Sequence, residues 1–491
     1  VAALEGAKKM AQAEAEARRR LVLAPDCPQL HKIIARHLQQ RNFAHAAGEH
    51  LARVLALEGD SPELALVVAA NWHRQAKTEK NIAAAARALE LAPDNVHAHV
   101  AYCYALHHAG ATHSVAFGVA VMAALEKFGA RAALARIRGL LFSEGKDFAA
   151  AVGVLKNSTA PIELLDRGRY KERLGDYGGA WADWMEAKRI QRESEGLIYQ
   201  PDLFARQVAE LMDSSRPPRV FALLDHQAPV LSPAPIFICG FPRSGTTMLE
   251  AALSAHPAIA AGDELAALPD LIRHIPALLS VPAPIQYPRA LAALAWPENA
   301  GAAALLAQHY LQHALNRIGE AGKPFCYFTD KMPSNELHIP LLDCLFPASP
   351  IIHVRRHPLD ILTSCMSQFL VHGGHNACAL EWCAHHYALT DSLVDHYRKK
   401  CPPPNFREVR YEAFVKNVAG ELAPLLPAGL ALEPAQVEFH KSEWKSATLS
   451  YRQIKEPAHS NSVGRYKPFL EFFKPVLPLL APTLDREGYS L

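Results

Sequence analysis

Between Pro235 and Gly240 the chain reads PIFICG, a short apolar run, and it continues FPRSGTTMLEAALSAHP. The run predicts a buried strand, Phe241 to Gly245 a tight loop, and the residues from about Thr246 a helix. Successive backbone N–H groups in such a turn face one point and form a nest for an anion. The helix start adds the positive end of its dipole and its free N–H groups. Arg243 puts a cation inside the loop, beside Ser244, Gly245, Thr246 and Thr247. This is chemistry for holding a phosphate or a similar tetrahedral anion.

Three further apolar runs end in polar groups of matching character. FCYFTDKMPSN (Phe325 to Asn335) ends in Asp330 and Lys331. Ile351 to Val354 lead into Arg355 and Arg356, and Pro358 suits the first turn of a following helix that carries Ser364. NFREVRYEAFV brings Tyr411 to a fourth strand end. Open parallel sheets bind ligands at the carboxyl ends of their strands. One strand-end cation would mean little, since lysine and arginine often finish a strand in solvent. Four ends suited to one polyanionic nucleotide carry more weight.

The spacing from Gly240 to Gly245 mimics the GxxxxGK[ST] loop of NTPases, but Thr246 stands where their lysine belongs, which disfavours ATP chemistry. PRSGTT after an apolar strand instead resembles the 5′-phosphosulfate loop of sulfotransferases, enzymes that use 3′-phosphoadenosine 5′-phosphosulfate (PAPS). RRHPLDILTS resembles their 3′-phosphate segment, with Arg356 and Ser364 in the matching positions. The stretch Ala447 to Phe469 resembles the late segment of bacterial tetratricopeptide-repeat sulfotransferases, through Ser450, QIKEP and Ser462 to Tyr466. Asp330 to Asn335 match that family's DKxPxN string. More distantly, GDEL at Gly262 to Leu265 is similar to the G-E-E string of tyrosylprotein sulfotransferases. The resemblance implies that Glu264 is the catalytic carboxylate, with Lys331 and Ser450 as transition-state residues. It further implies that Arg243, Arg356, Ser364, Tyr411 and Arg465 contact the nucleotide. Two departures are Gln368, where those relatives have an arginine, and Lys455 followed by Glu456, which breaks their K-P string.

Sulfuryl transfer moves a singly charged group from phosphate to an acceptor hydroxyl, roughly in line, with negative charge growing on the bridging oxygen. An ammonium and a hydroxyl beside that oxygen stabilise the transition state more than the ground state; Lys331 and Ser450 are expected there. Glu264 is expected to take the acceptor's proton, with Asp263 as the alternate. No divalent metal is expected. On the residues alone, Glu264 is equally a first-turn acid of the helix LAALPDLIRHI. Arg356 could equally pair with Asp360, and Lys331 could be a solvated strand end.

The elements that must position these groups fall into two textures. Residues 1–211 are rich in alanine and leucine at helical spacing, and 212–234 read as a proline- and serine-rich linker. Residues 235–491 alternate strand and helix, which predicts an α/β domain with a mostly parallel sheet. LAPD, LEGD and LAPD end at Asp26, Asp60 and Asp94, two equal intervals of 34 residues. That period of paired helices resembles the tetratricopeptide repeat and predicts a stack whose concave surface takes a protein or peptide partner. Segment 265–322 is expected to line the acceptor site.

Composition bounds the remaining readings. The 491 residues carry a net charge of +2 and half are hydrophobic, which excludes a mainly disordered chain and argues against a nucleic-acid binder. No apolar run reaches the roughly 20 residues of a membrane span. Nine scattered cysteines without a CxxC pair favour reduced thiols and a cytoplasmic location, and the histidines lack companion ligands for a metal. Two competing functions are a P-loop kinase of small molecules and a repeat scaffold that binds a nucleotide without turnover.

Overall fold

The computed structural model describes residues 10–40, 43–75, 77–214, 232–318, 324–370, 374–400, 402–442 and 457–491. Two compact units divide at Ala187/Lys188. The first is all helix. Helices begin at Pro28, Pro62 and Val96, and each opens a helix pair: Pro28–Gln40 with Ala44–Glu58, Pro62–Arg74 with Thr78–Leu91, and Val96–Ala109 with Ser114–Phe128. The 34-residue interval of the sequence is thus the interval between helix pairs. Alanines at the contacts let the helices approach closely. Ala47, Ala85, Ala88 and Ala98 are fully buried.

The recurring aspartates sit in the turn before each pair. Ser61 caps the second pair by accepting the Leu64 N–H (3.1 Å), and Asn95 caps the third through His97 N–H (2.9 Å). Each aspartate pairs with a cation from later in the stack. Arg53 pairs with Asp26, Arg87 with Asp60 at 2.6 Å, and Lys127 with Asp94 at 2.7 Å. Further along, Gly168 is fixed by packing. A Cβ there would lie 2.4 Å from the Trp184 indole nitrogen.

The second unit is built on five parallel strands: β1 Ala234–Cys239, β2 Ile259–Ala260, β3 Tyr327–Lys331, β4 Ile351–Arg355 and β5 Phe406–Arg410. Their order is β2-β3-β1-β4-β5, all pairs parallel. β1 alternates its side chains between two cores, because successive residues of a strand face opposite sides. Phe237 and Cys239 join Phe328, Tyr310 and Leu342 on one side. Ile236 and Ile238 join Ile352, Val354, Leu249 and Phe414 on the other. Each fully buried large side chain here contributes about 1.5–3 kcal/mol.

Register then decides what meets at the carboxyl edge. Ile238 stands opposite Lys331, Cys239 opposite His353, and Arg355 opposite Arg410. The loop after β1 therefore lies between the ends of β3 and β4, where the chain order reverses and open parallel sheets carry their ligands. The linker expected at 212–234 lies mainly outside the described residues, and Ser450 lies outside them entirely.

Candidate active site

Gly240 opens the loop after β1 at φ 142°, and a Cβ there would lie 2.5 Å from the Val354 carbonyl oxygen. Arg243 holds φ 74° and Gly245 φ 110°, both in the left-handed region. At Gly245 a Cβ would come within 2.5 Å of the Tyr411 ring, so only glycine lets the loop lie against β5. The helix Thr246–Ser254 starts directly after it, with Thr246 and Thr247 buried in its first turn. Ser244 is completely buried, and its hydroxyl has no hydrogen-bond partner among the described residues.

The expected nucleotide contacts come together around this loop. Arg243 donates from Nε to Ser364 Oγ at 2.9 Å. Arg356 donates to the Arg243 carbonyl at 2.9 Å and to the Ser462 carbonyl at 2.5 Å. Its guanidinium lies 4.4 Å over the Tyr411 ring. Arg356 is therefore not spent on Asp360, the alternative the sequence left open. Asp360 instead accepts the N–H groups of Gly464 (2.8 Å) and Tyr466 (3.0 Å) and so fixes the turn that carries Arg465. Arg465 reaches Ser367 Oγ at 3.1 Å, three residues beyond Ser364. Burial, with Arg356 and Arg465 close by, pushes Arg243 down to about 10. A guanidinium lowered in this way calls for an anionic guest. The buried lone Ser244 hydroxyl, the glycine cradle and the gathered guanidiniums all fit a nucleotide with phosphates at both ends.

The second part of the site lies at the end of β3. Lys331 is fully buried, and its ammonium lies 2.8 Å from Glu264 Oε1 and 3.1 Å from Asp263 Oδ1. Burial works against its charge, yet Glu264, Asp263 and Glu250 outweigh burial and hold Lys331 above the ordinary lysine value. Glu264 precedes the helix Ala267–Leu278 without belonging to it, and its side chain is about a third exposed (31%). It thus faces both the lysine and solvent, as a group that meets an acceptor must.

Asp330 was read in the sequence only as part of a strand end and of the DKxPxN string, and Tyr310, Glu250 and Thr329 were not singled out. Asp330, buried beside Lys331, accepts from Tyr310 Oη at 2.6 Å and from Asn335 at 3.2 Å. Burial raises it to about 7, although both hydrogen bonds oppose the shift. Tyr310 lies on Ala302–Ile318, so segment 265–322 reaches the strand through this hydroxyl. Glu250 and Thr329 form a network beneath Glu264. A charged residue inside the apolar run MLEAALS was the available signal for Glu250. Among the described residues no group of three or more histidine, cysteine or acidic side chains could hold a metal ion. His353 sits between Glu336 and Glu408, and His357 caps its own helix at Leu359 N–H.

A parallel α/β unit with a phosphate-type loop after its central strand defines the class. The model of the sulfotransferase family matches residues 235–433, which include the strand ends that carry Arg243, Lys331, Arg356 and Tyr411 but not the turn at Gly464–Tyr466. An uncharacterized protein of Aquifex aeolicus (strain VF5) is 26% identical over 325 residues, which is 65% of this chain and 40% of that protein. The chain thus spans about two-fifths of the relative it matches. Solved structures similar in part include sulfotransferase STF9 from Mycobacterium avium (16% identity, 67% of this chain and 97% of that one, TM-score 0.30). STF1 from Mycobacterium tuberculosis H37Rv is 15% identical over 70% of this chain and 98% of its own, with a TM-score of 0.28.

Proposed function

We propose that the α/β unit is a PAPS-dependent sulfotransferase that moves the sulfuryl group to an acceptor hydroxyl of a protein tyrosine, a glycan or a small molecule. The observation that carries this reading is the linkage Ser364–Arg243–Arg356–Tyr411 around the glycine loop, with the Lys331–Glu264 pair at the adjacent strand end. The loop residues Ser244 to Thr247 hold the 5′-phosphosulfate, and Arg356, Ser364 and Arg465 hold the 3′-phosphate.

Held by Lys331 at 2.8 Å and open to solvent, Glu264 is placed to accept the acceptor's proton. The acceptor oxygen then bonds to sulfur as the bond from sulfur to the phosphate oxygen breaks, and adenosine 3′,5′-bisphosphate leaves. When Glu264 takes the proton, Lys331 keeps Asp263 but loses the nearer of its two counter-charges at the moment negative charge grows on the bridging oxygen. The same ammonium thus stabilises the transition state more than the ground state. Ser450 supplies a hydroxyl to the same oxygen, and segment 265–322 lines the acceptor site.

The helical unit is a tetratricopeptide-like stack that presents a protein or peptide partner, and the free thiols of the described residues suit the cytoplasm. The test is incubation with 35S-labelled PAPS and a panel of phenols, glycans and acidic tyrosine peptides, repeated with Glu264→Ala. Labelled product from wild type and none from the variant supports the reading. Phosphate transfer from ATP, or nucleotide binding without transfer, sinks it.

A further inference from the structure

Glu264 is only as well placed as the turn that carries it, and that turn is strained. Asp263 holds φ 58°. A non-glycine residue in the left-handed region persists only where its surroundings over-determine it. Gly262, just before it, passes so close to β3 that a Cβ would lie 2.1 Å from the Thr329 carbonyl oxygen.

Three hydrogen bonds hold the turn there. The Gly262 N–H donates to Thr329 Oγ1 at 3.0 Å, and the Asp263 N–H donates to Glu250 Oε1 at 2.9 Å. The Lys331 N–H donates to the Asp263 carbonyl at 3.0 Å. The Thr329 hydroxyl closes the circuit by donating to the same Glu250 Oε1 at 2.7 Å. Glu250 is completely buried, so a single carboxyl oxygen gathers two donors, one from the turn and one from the strand beneath it.

We propose that Glu250 and Thr329 are the positioning pair of this site, a clamp that holds the left-handed Asp263 turn and so aims Glu264 at the acceptor and at Lys331. The inference rests on the reading of Glu264 as the base. The acceptor role needs an oxygen, not a charge. Burial raises Glu250 to about 8, against the opposing pull of Lys331, and Asp263 adds to the rise. Its other oxygen has no hydrogen-bond partner among the described residues. Glutamine keeps the accepting oxygen and is therefore a close substitute.

The experiment compares Glu250→Ala, Glu250→Gln and Thr329→Val by hydrogen–deuterium exchange over residues 259–265, alongside single-turnover transfer from PAPS and calorimetric binding of adenosine 3′,5′-bisphosphate. Glu250→Ala and Thr329→Val are expected to speed exchange of the turn about tenfold or more. They are expected to slow the chemical step about 10- to 100-fold and change nucleotide affinity less than about threefold. Glu250→Gln is expected to restore both exchange and rate. Unchanged exchange in Glu250→Ala and Thr329→Val overturns the clamp, whatever the activity. Glutamine as damaging as alanine overturns it too. If exchange responds as expected while no form, wild type included, transfers sulfuryl, the clamp stands and the sulfotransferase reading falls.

Discussion

The Lys331 ammonium and the Glu264 carboxylate lie 2.8 Å apart although the residues are 67 positions apart in the chain. Strand β3 delivers the first and the turn after β2 the second. Buried cation and partly exposed carboxylate depend on each other. Glu264→Gln is expected to lower kcat by about 100-fold or more, as for loss of a general base. Lys331→Met is expected to cost a similar factor and also lower the melting temperature, because it leaves Asp263 and Glu264 without their counter-ion. Single-turnover assays and thermal melts read both effects. A Glu264→Gln protein that keeps a tenth of the wild-type rate would remove Glu264 from the chemistry.

The Arg243–Ser364 bond gives a separate prediction on affinity. Lysine cannot reproduce the planar fork of a guanidinium that donates from Nε to Ser364. Arg243→Lys is expected to weaken adenosine 3′,5′-bisphosphate binding about tenfold or more, and Ser364→Ala by a smaller factor. The double variant should fall short of the product of the two, since both remove one shared bond. Calorimetry decides, and independent, multiplicative losses would argue against the shared contact.

Glycine substitutions separate backbone strain from crowding. Gly245 and Gly429 both hold positive φ, 110° and 87°, but a Cβ at Gly245 meets Tyr411 whereas one at Gly429 meets nothing within 4 Å. Gly429→Ala is expected to cost about 1 kcal/mol of stability through strain alone and to keep the stabilisation that nucleotide confers. Gly245→Ala is expected to lose that stabilisation. Melting curves with and without the bisphosphate check this, and equal responses of the two variants would refute it.

Stability should fall as pH rises through the neutral range. His353 lies 3.2 Å from Glu336 and 3.3 Å from Glu408. Burial opposes its charge, but the two carboxylates prevail and raise it to about 9. The folded form then binds this proton more tightly than the unfolded chain does. The contribution is complete below about pH 6.5 and is lost as pH rises through about 9, on the order of 3 kcal/mol. Glu250 and Asp330, raised by burial to about 8 and about 7, act in the same direction from the ordinary carboxylate range upward. Urea midpoints are therefore expected to drop from about pH 6.5 to about pH 9, with a shallower drop in His353→Gln. Parallel slopes would exclude His353 as a source.

The strand ends were legible because a buried parallel strand is a short apolar run, and the first polar residues after it mark the carboxyl edge. That logic located Arg243, Lys331, Arg356 and Tyr411. The helix pairs were legible through their 34-residue interval. What escaped was pairing at a distance. Glu250 meets Asp263 across 13 positions but Thr329 across 79, and Asp360 meets Gly464 across 104. A buried carboxylate advertises that it needs donors without saying whose. The aspartates at Asp26, Asp60 and Asp94 were visible as a repeat, while their cationic partners were not. Ser450, in the late segment, has no structural account.

Asp360 also sets an order of events. Its carboxylate anchors the turn at Gly464–Tyr466, and Arg465, which also reaches Ser367, comes beside Arg243 on that turn. All five strands precede this turn, so the sheet can assemble while the chain is still being made. The guanidinium from the tail arrives afterwards. Glu487, further along the same tail, then pairs with Arg355 at the end of β4, so the segment that completes the guanidinium cluster also ties itself to the sheet.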